Sequence, residues 1–341
     1  MPETRTPATT ERLALFMSWL TPLLWTANLW AARTSPGVVE PNTLALGRWL
    51  MAGLVLAWFC RGELWAHRHV LRRKAWHYLV LGALGMWICG AWVYLAGHTT
   101  GAMNISLIYA ASPVMIVLGS AYWLGESLGW RKGLGVAMAL TGVVHVVVQG
   151  AWERLASFQL VPGDLWVFAA AVAWAAYSLL QRGWHHMPSA TAQLAANSLA
   201  GSLVLLPFAV LELADPNTPP LSTTAFILMG VTAVIPGLGA YWIYGWTLRV
   251  LGASRVSVTM YLGPLYAAVM AWGVLGEPLA WHHFWGAVLI LSGVGIAMSP
   301  RRAAAGQPSP GTPAGPVSPA SETSPTETEA QKQADERASR R

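Results

Sequence analysis

The chain has 341 residues, of which 55% are hydrophobic and 11% are charged, and its mean hydropathy is +0.45. Soluble proteins carry about a quarter charged residues, so this composition excludes an ordinary soluble protein and predicts an all-α integral membrane protein. The formal charge of +6 comes from basic residues in short loops beside apolar runs, which favours a role in membrane orientation over nucleic-acid binding.

Apolar runs of helical length follow one another along the chain. A transmembrane helix needs about 20 apolar residues, and loops with proline, glycine or charge separate the runs. The predicted spans cover about residues 13–32, 43–60, 76–97, 103–123, 132–149, 164–181, 192–211, 224–247, 256–275 and 282–299. We therefore expect ten transmembrane helices after a short N-terminal segment at residues 1–12.

The loop charges predict the orientation of these spans. Most loop lysines and arginines fall on the side that holds the N-terminus, whereas Arg33 and Arg154 fall on the other. Because basic loops stay in the cytoplasm, both termini, and residues 1–12, are expected to be cytoplasmic. Residues 303–341 are rich in Pro, Ser, Thr, Ala and Glu, which predicts a disordered cytoplasmic tail.

The chain contains an internal repeat. The segment 112–142 matches the segment 263–293 at an offset of 151 residues, and the first helix of each half matches more weakly, aligning Trp25 with Trp174 at an offset of 149. Each copy holds five predicted helices. Since five is odd, the second copy must cross the membrane in the opposite direction, so the chain is predicted to consist of two inverted five-helix repeats.

The predicted repeats cover residues 13–149 and 164–299. Two similar halves related by an axis in the membrane plane can open in turn to either face around a site near the midplane. This architecture favours a transporter that works by alternating access.

Arg48 lies within the second predicted span. Charged side chains at such depth are costly and often functional, although a long side chain near a helix end can also reach the interface. Two interpretations stay open: a structural partner of helix-end carbonyls, or a contact for a substrate carboxylate.

Polar and aromatic residues on shared helix faces are the other candidates for a substrate cavity. Residues three, four or seven positions apart lie on one face of a helix, and mid-membrane tryptophan, tyrosine or asparagine needs a hydrogen-bond partner. Interhelical hydrogen bonding is the alternative role for Asn28 and Tyr177. The candidates are Asn28, Arg48, Trp87, Tyr94, Ser106, Trp174, Tyr177, Tyr241, Tyr244, Ser257 and Tyr261.

Pro113 and Pro264 occupy equivalent positions of the two repeats. Proline interrupts helix hydrogen bonding, so both are candidate hinges, with plain packing as the alternative. Glu126 and Glu277 begin equivalent loops and are candidates for capping or gating. Glycines recurring at seven-residue spacing, at 135 and 142 and at 286 and 293, predict close helix packing, within one protomer or between two.

No cofactor or metal site is predicted. His185 and His186, like His282 and His283, are adjacent, so their side chains diverge on a helix, and the sequence places no third ligand at zinc spacing near either pair. Cys60 and Cys89 lie in or beside apolar segments without a partner at redox spacing. No catalytic residues are predicted.

A set of motifs lies along residues 13–299 in a fixed order: Trp25-Thr26-Ala27-Asn28, Arg48, Ser112-Pro113, Leu124-Gly125-Glu126, Trp174, Tyr177, Pro264 and Leu275-Gly276-Glu277. In this order and spacing, the chain resembles the EamA-type members of the drug/metabolite transporter superfamily. The resemblance implies a ten-helix fold of two five-helix halves, a central cavity and transport of small metabolites, often the export of amino acids or related compounds.

We therefore expect a secondary transporter in the bacterial inner membrane, an exporter of small metabolites rather than an enzyme. Its expected partners are a small-molecule substrate and the lipid bilayer, with no nucleic acid and with a homodimer as one form of assembly. The alternatives are a polytopic membrane enzyme acting on lipid-linked substrates, which needs a cluster of reactive groups at membrane depth, and a membrane sensor or scaffold.

Overall fold

The computed structural model describes residues 8–96, 99–100, 102–156, 159–275 and 280–299, and the regular elements of these residues are all helices. The α-helices of the first half are α1 (Ala8–Trp25), α2 (Ala27–Thr34), α3 (Pro41–Phe59), α4 (Arg61–Ala66), α5 (Arg68–Arg73), α6 (Ala75–Gly82), α7 (Val93–Ala96), α8 (Ala102–Tyr109), α9 (Ser112–Trp123) and α10 (Trp130–Val147). Those of the second half are α11 (Pro162–Gly183), α12 (Ala190–Ala214), α13 (Thr223–Thr232), α14 (Tyr241–Leu251), α15 (Ala253–Thr259), α16 (Gly263–Leu275) and α17 (Trp281–Met298). The predicted all-α class is confirmed.

Several helices have the length and apolarity that a bilayer requires. Among the described residues, five segments meet both criteria, namely α3, α11, α12, α17 and the continuous helical stretch Thr223–Leu251. Large apolar side chains also cover the outer surface; Phe16 is 63% exposed, Phe59 80% and Trp272 55%. Such a surface is unfavourable in water and is typical of contact with lipid. The number of spans and the side of each terminus stay predictions.

Helices at equivalent positions of the two repeats pack antiparallel. The start of α3 lies against the end of α12, where Asn42 and Thr43 bond to Glu212, and the start of α12 lies against the segment after α3, where Ser189 bonds to Glu63. An inverted repeat predicts this antiparallel pairing, because an axis in the membrane plane reverses the direction of each helix.

The recurrent glycines pack α10 against α17 within the chain. A Cβ built at Gly293 would lie 2.5 Å from the Gly135 oxygen and 2.5 Å from the Ala139 nitrogen, and one at Gly142 would lie 2.9 Å from the Gly286 oxygen. These backbones approach so closely that neither helix has room for a side chain there. Of the two interpretations of these glycines, the structure shows packing within one protomer.

The fourth and ninth predicted spans are both interrupted near a proline. The α8 helix ends at Tyr109, and α9 begins at Ser112 with Pro113 in its first turn. In the second half, a short 3-10 helix, Met260–Leu262, separates α15 from α16, and Pro264 stands in the first turn of α16. Proline fits a first helical turn because the missing N–H has no intrahelical partner there. Both spans are therefore divided at equivalent places.

The third and eighth predicted spans each contain a π-helix. The first π-helix (Ala83–Trp92) follows α6, and the second (Ala233–Ala240) follows α13 at an offset of 150 residues. The second contains Pro236, which removes a backbone donor; no residue of the first offers the same cause. The α3 helix packs against both π-helices. π-helical turns are rare overall but are often found at functional sites, and α3 contacts both of these.

Candidate functional site

Arg48 lies on α3 between the two π-helices. Its side chain is 6% exposed. A Cβ built at Gly90 of the first π-helix would lie 3.5 Å from Nη2 of Arg48, and one at Gly237 of the second would lie 3.7 Å from its Cγ. Glycines at these two positions allow both π-helices to lie close to this long side chain. The structure therefore buries one positive charge where the two repeats meet.

The guanidinium of Arg48 is held by neutral groups. Its Nη1 donates a hydrogen bond to Oδ1 of Asn28 at 3.1 Å, and its Cζ lies 4.6 Å from the ring centroid of Trp49. Within the described part of the chain, no carboxylate forms an ion pair with Arg48; the salt bridge found there joins Arg255 to Glu11. A buried charge without a counter-charge is unfavourable.

Aromatic side chains form a continuous cluster beside Arg48. The rings of Trp25 and Trp174 meet edge to face with centroids 5.2 Å apart, and Tyr244 lies 5.0 Å from Trp174. Tyr241 connects the cluster to Trp49, whose ring centroid lies 4.6 Å away. These contacts join α1, α3, α11 and α14, so the cluster contains side chains from both halves of the chain.

Hydrogen bonds fix the tyrosines of this cluster. The Tyr241 hydroxyl donates to the carbonyl oxygen of Gly85 in the first π-helix at 2.9 Å. The Tyr244 and Ser178 hydroxyls lie 2.6 Å apart, and Ser178 also donates to the Trp174 carbonyl. The ring of Tyr177 stacks on Trp174 with centroids 5.4 Å apart. The predicted residues Trp174, Tyr177, Tyr241 and Tyr244 are thus brought together in one place.

A buried amide network next to Tyr177 was missed by the sequence analysis. The Asn197 amide on α12 donates to Oε1 of Gln181 on α11 at 2.7 Å, and Gln193 donates to Asn197 at 3.3 Å. All three side chains are buried. Amides inside apolar spans were the available signal, because an amide in hydrocarbon needs a partner.

Trp87 lies apart from the aromatic cluster. Its indole N–H donates to Oδ1 of Asn42 at 3.2 Å, and its ring stacks on Phe208 with centroids 4.1 Å apart. Asn42 and Phe208 also line a cavity of about 450 Å³ at one end of the bundle. Its lining residues are Glu40, Asn42, Phe208, Leu211, Glu212, Asp215, Asn217 and Thr218.

The remaining cavity candidates occupy different surroundings. Ser257 is buried and donates to the Ser254 carbonyl. Tyr261 is buried in the apolar contact between α10 and α17, and its hydroxyl has no hydrogen-bond partner within the described ranges. Ser106 is exposed on α8. The side chain of Tyr94 lies outside the described residues. The structure does not bring Ser106, Ser257 and Tyr261 to Arg48.

Glu126 caps the start of α15. Its carboxylate accepts hydrogen bonds from the backbone nitrogens of Ala253 at 2.8 Å and Ser254 at 3.0 Å, and from the Ser254 hydroxyl. Lys132 donates to the same hydroxyl at 2.7 Å. Of the two roles expected for Glu126, the observed contact is a cap that joins the two halves. Glu277 lies outside the described residues.

Relatives of this chain are transporters. It is 25% identical over 269 residues to the uncharacterized transporter YyaM of Bacillus subtilis (strain 168), covering 77% of this chain and 86% of that protein. It is 24% identical over 275 residues to an S-adenosylmethionine/S-adenosylhomocysteine transporter of Chlamydia trachomatis serovar L2, covering 78% and 83%.

A third relative and a solved structure agree with these matches. A probable terminal-alkyne amino-acid exporter of Streptantibioticus cattleyicolor is 27% identical over 264 residues, covering 76% of this chain and 86% of that protein. A solved crystal structure superposes with a TM-score of 0.67 at 22% identity, covering 84% of this chain and 96% of the other, which shows a similar fold.

The family to which the chain belongs follows from a match in each half. The pattern of the EamA-like transporter family matches residues 12–148 and again residues 161–299. The two matches together span most of the chain, and the family consists of membrane transporters rather than enzymes. The chain is therefore a multi-pass membrane protein with two EamA domains, and it belongs to the EamA-like transporter family.

Proposed function

We propose that this transporter is a secondary transporter that exports small metabolites, amino acids or related compounds, by alternating access. The observation that carries the proposal is the placement of Arg48. Arg48 is a buried cation that forms no ion pair within the described part of the chain, and it lies on α3 between the π-helices of the two repeats. A site between two repeats can be exposed to either side as the halves move against each other.

The divided helices supply the elements that move. Both the α8–α9 and the α15–α16 spans are interrupted beside a proline, and the two π-helices weaken regular hydrogen bonding in the neighbouring spans. Pro113 and Pro264 act as hinges in this proposal. The close contacts between α10 and α17 hold the two halves together while the other spans shift.

The relatives support a substrate of the amino-acid type. One carries a name that specifies S-adenosylmethionine and S-adenosylhomocysteine, and another is named as a probable amino-acid exporter. Compounds of this type join a carboxylate to an apolar or aromatic part. The site offers a cation for the first and a cluster of tryptophan and tyrosine rings for the second.

The proposed topology has ten spans in the bacterial inner membrane. The repeats comprise residues 13–149 and 164–299, residues 1–12 and 303–341 are cytoplasmic, and the chain works as a monomer or as a homodimer. The predicted disordered tail at 303–341 lies outside the described residues. The distribution of loop arginines and lysines supports this orientation.

Efflux from proteoliposomes tests the proposed transport. Purified full-length protein is reconstituted into vesicles loaded with a panel of amino acids and S-adenosylmethionine, and release is followed by mass spectrometry against protein-free vesicles. We expect release of at least one compound, abolished by Arg48→Gln. Arg154→Gln, in the loop before α11, is the matched control and should leave release unchanged. Folded protein that releases none of the panel would contradict the proposal.

A further inference from the structure

Two adjacent buried N–H groups beside the first π-helix have no hydrogen-bond partner among the residues that the structure describes. They are Nε of Arg48 and the indole Nε1 of Trp49. Arg48 is 6% exposed and Trp49 is fully buried. Buried donors are nearly always satisfied, because leaving one without an acceptor costs about 1–3 kcal/mol. Two such groups on consecutive residues indicate that an acceptor belongs there.

Gly90 of the first π-helix faces the Arg48 guanidinium and the Trp49 indole. A carbon built as a Cβ on Gly90 would lie 3.5 Å from Nη2 of Arg48 and 3.6 Å from Nε1 of Trp49. One small group at that place can therefore contact the guanidinium and the indole at once. Any residue other than glycine would place its side chain in this space.

The neighbouring polar groups of the described chain do not accept hydrogen bonds from Nε of Arg48 or Nε1 of Trp49. The Asn28 amide oxygen accepts from Nη1 of Arg48, and the Tyr241 hydroxyl donates to the Gly85 carbonyl. No carboxylate of the described residues pairs with Arg48. The missing acceptor is thus also the missing negative charge.

A carboxylate has the properties that this space requires. It accepts up to four hydrogen bonds through two oxygens and pairs side by side with a guanidinium. Tyr241 packs against Trp49 and continues into Trp25 and Trp174. A molecule whose carboxylate lies at Gly90 can therefore rest its apolar part against these rings.

We infer that the transported compounds are carboxylates, recognised by Arg48 and Trp49 in the space left by Gly90. This inference rests on the proposed transport function and specifies its substrate class. Trp49 contributes its N–H as a second donor, so it determines specificity together with Arg48. Compounds that differ only by an amide in place of the carboxylate lose the charge and one acceptor oxygen, and are rejected.

Matched pairs of solutes test the inference in the full-length protein. The probes are phenylalanine with phenylalaninamide, leucine with leucinamide, and methionine with methioninamide, each loaded into proteoliposomes and corrected for leak from protein-free vesicles. We expect the acid of at least one pair to leave about tenfold faster than its amide, since a charged hydrogen bond is lost. Trp49→Phe keeps a ring but removes the N–H, and should reduce this preference.

Gly90→Ala provides a second variant that is expected to fold. The added methyl group would lie 3.5 Å from Nη2 of Arg48 and 3.6 Å from Nε1 of Trp49, which are ordinary van der Waals distances. It would nevertheless occupy the proposed carboxylate space. We expect at least a tenfold loss of carboxylate efflux, because the carboxylate can no longer form its paired hydrogen bonds with the guanidinium. Gly230→Ala is the matched control, because a Cβ there meets nothing within 4 Å, and it should retain wild-type efflux.

The outcomes separate this inference from the proposed transport. Equal rates for acids and amides, or wild-type efflux by Gly90→Ala, would overturn carboxylate recognition while leaving transport intact. If S-adenosylmethionine is the one solute released, loss of its efflux in Gly90→Ala supports the inference. Unchanged efflux of S-adenosylmethionine in Gly90→Ala overturns the inference. Absence of efflux for every solute overturns both proposals.

Discussion

Glu63 and Glu212 cap opposite ends of one antiparallel helix pair. The Glu212 carboxylate accepts from the backbone nitrogens of Asn42 at 2.9 Å and Thr43 at 2.7 Å, at the start of α3. The Glu63 carboxylate accepts from the nitrogen and hydroxyl of Ser189 at 2.8 Å and 2.7 Å, at the start of α12. The two glutamates are related by the same 149-residue offset as Trp25 and Trp174. Each repeat therefore supplies a glutamate that caps a helix of the other repeat, at equivalent positions.

Loss of either cap should destabilise the fold. A carboxylate at a helix start satisfies free N–H groups and interacts favourably with the helix dipole. We expect Glu212→Gln to lower the free energy of unfolding by about 1–2 kcal/mol, measured by titration with SDS in mixed micelles, and Glu63→Gln to do the same. The exposed Glu153 provides the control variant Glu153→Gln. A change in Glu212→Gln no larger than in the control would contradict a capping role.

The contact between α10 and α17 should tolerate no side chain at Gly293. A Cβ there would lie 2.5 Å from backbone atoms of both Gly135 and Ala139, and backbone cannot move aside as a flexible side chain can. We expect Gly293→Ala to cost about 1–3 kcal/mol of unfolding free energy, seen as a lower midpoint in thermal unfolding of the detergent-purified protein.

Gly295 supplies the control for this substitution. It lies on the same helix, and a Cβ there meets nothing within 4 Å, so Gly295→Ala should match the wild type or exceed it slightly through higher helix propensity. Equal loss in both variants would show that the close approach of α10 is not the cause of the loss.

Stability should fall as the pH is lowered below about 6.5, the ordinary pKa of histidine. Burial, with the nearby charges of His77, Lys74 and His185, lowers the pKa of His186 in the loop between α11 and α12. Its Nε2 is buried, and none of the described residues forms a hydrogen bond with it. The unfolded chain then binds a proton at higher pH than the folded chain, so acidification favours unfolding until the folded pKa is passed.

Thermal unfolding between pH 7.5 and pH 5.5 measures this effect. His186→Gln cannot take up the proton, so we expect a smaller drop in its unfolding midpoint than in the wild type. His69 is exposed, and His69→Gln should keep the full drop. If His186→Gln loses as much stability on acidification as the wild type, another group is responsible.

The spacing of residues along the sequence does not predict which side chains share a face where the backbone departs from an α-helix. Spacing by three and four residues places Trp87, Gly90 and Tyr94 on one helix face. The structure forms a π-helix over Ala83–Trp92, whose wider turns, with i to i+5 bonds, change the direction in which each residue points. Gly90 faces Arg48, whereas Trp87 turns to Asn42 and Phe208. Nothing in the local sequence of this π-helix signals the change.

The sequence by itself determined the membrane class, the internal repeat and the family, because hydrophobic runs, repeated motifs and their order are properties of the chain alone. It also singled out Arg48, since a charge in an apolar span is visible without coordinates. Only the tertiary structure decided that Arg48 meets Asn28 and Trp49 between two π-helices, that Glu212 caps α3, and that Gly135 faces Gly293 within one chain. These contacts depend on how each helix is rotated and aligned against its neighbours. Side chains far apart in the sequence determine that rotation and alignment together, so the local periodicity of one helix does not predict it.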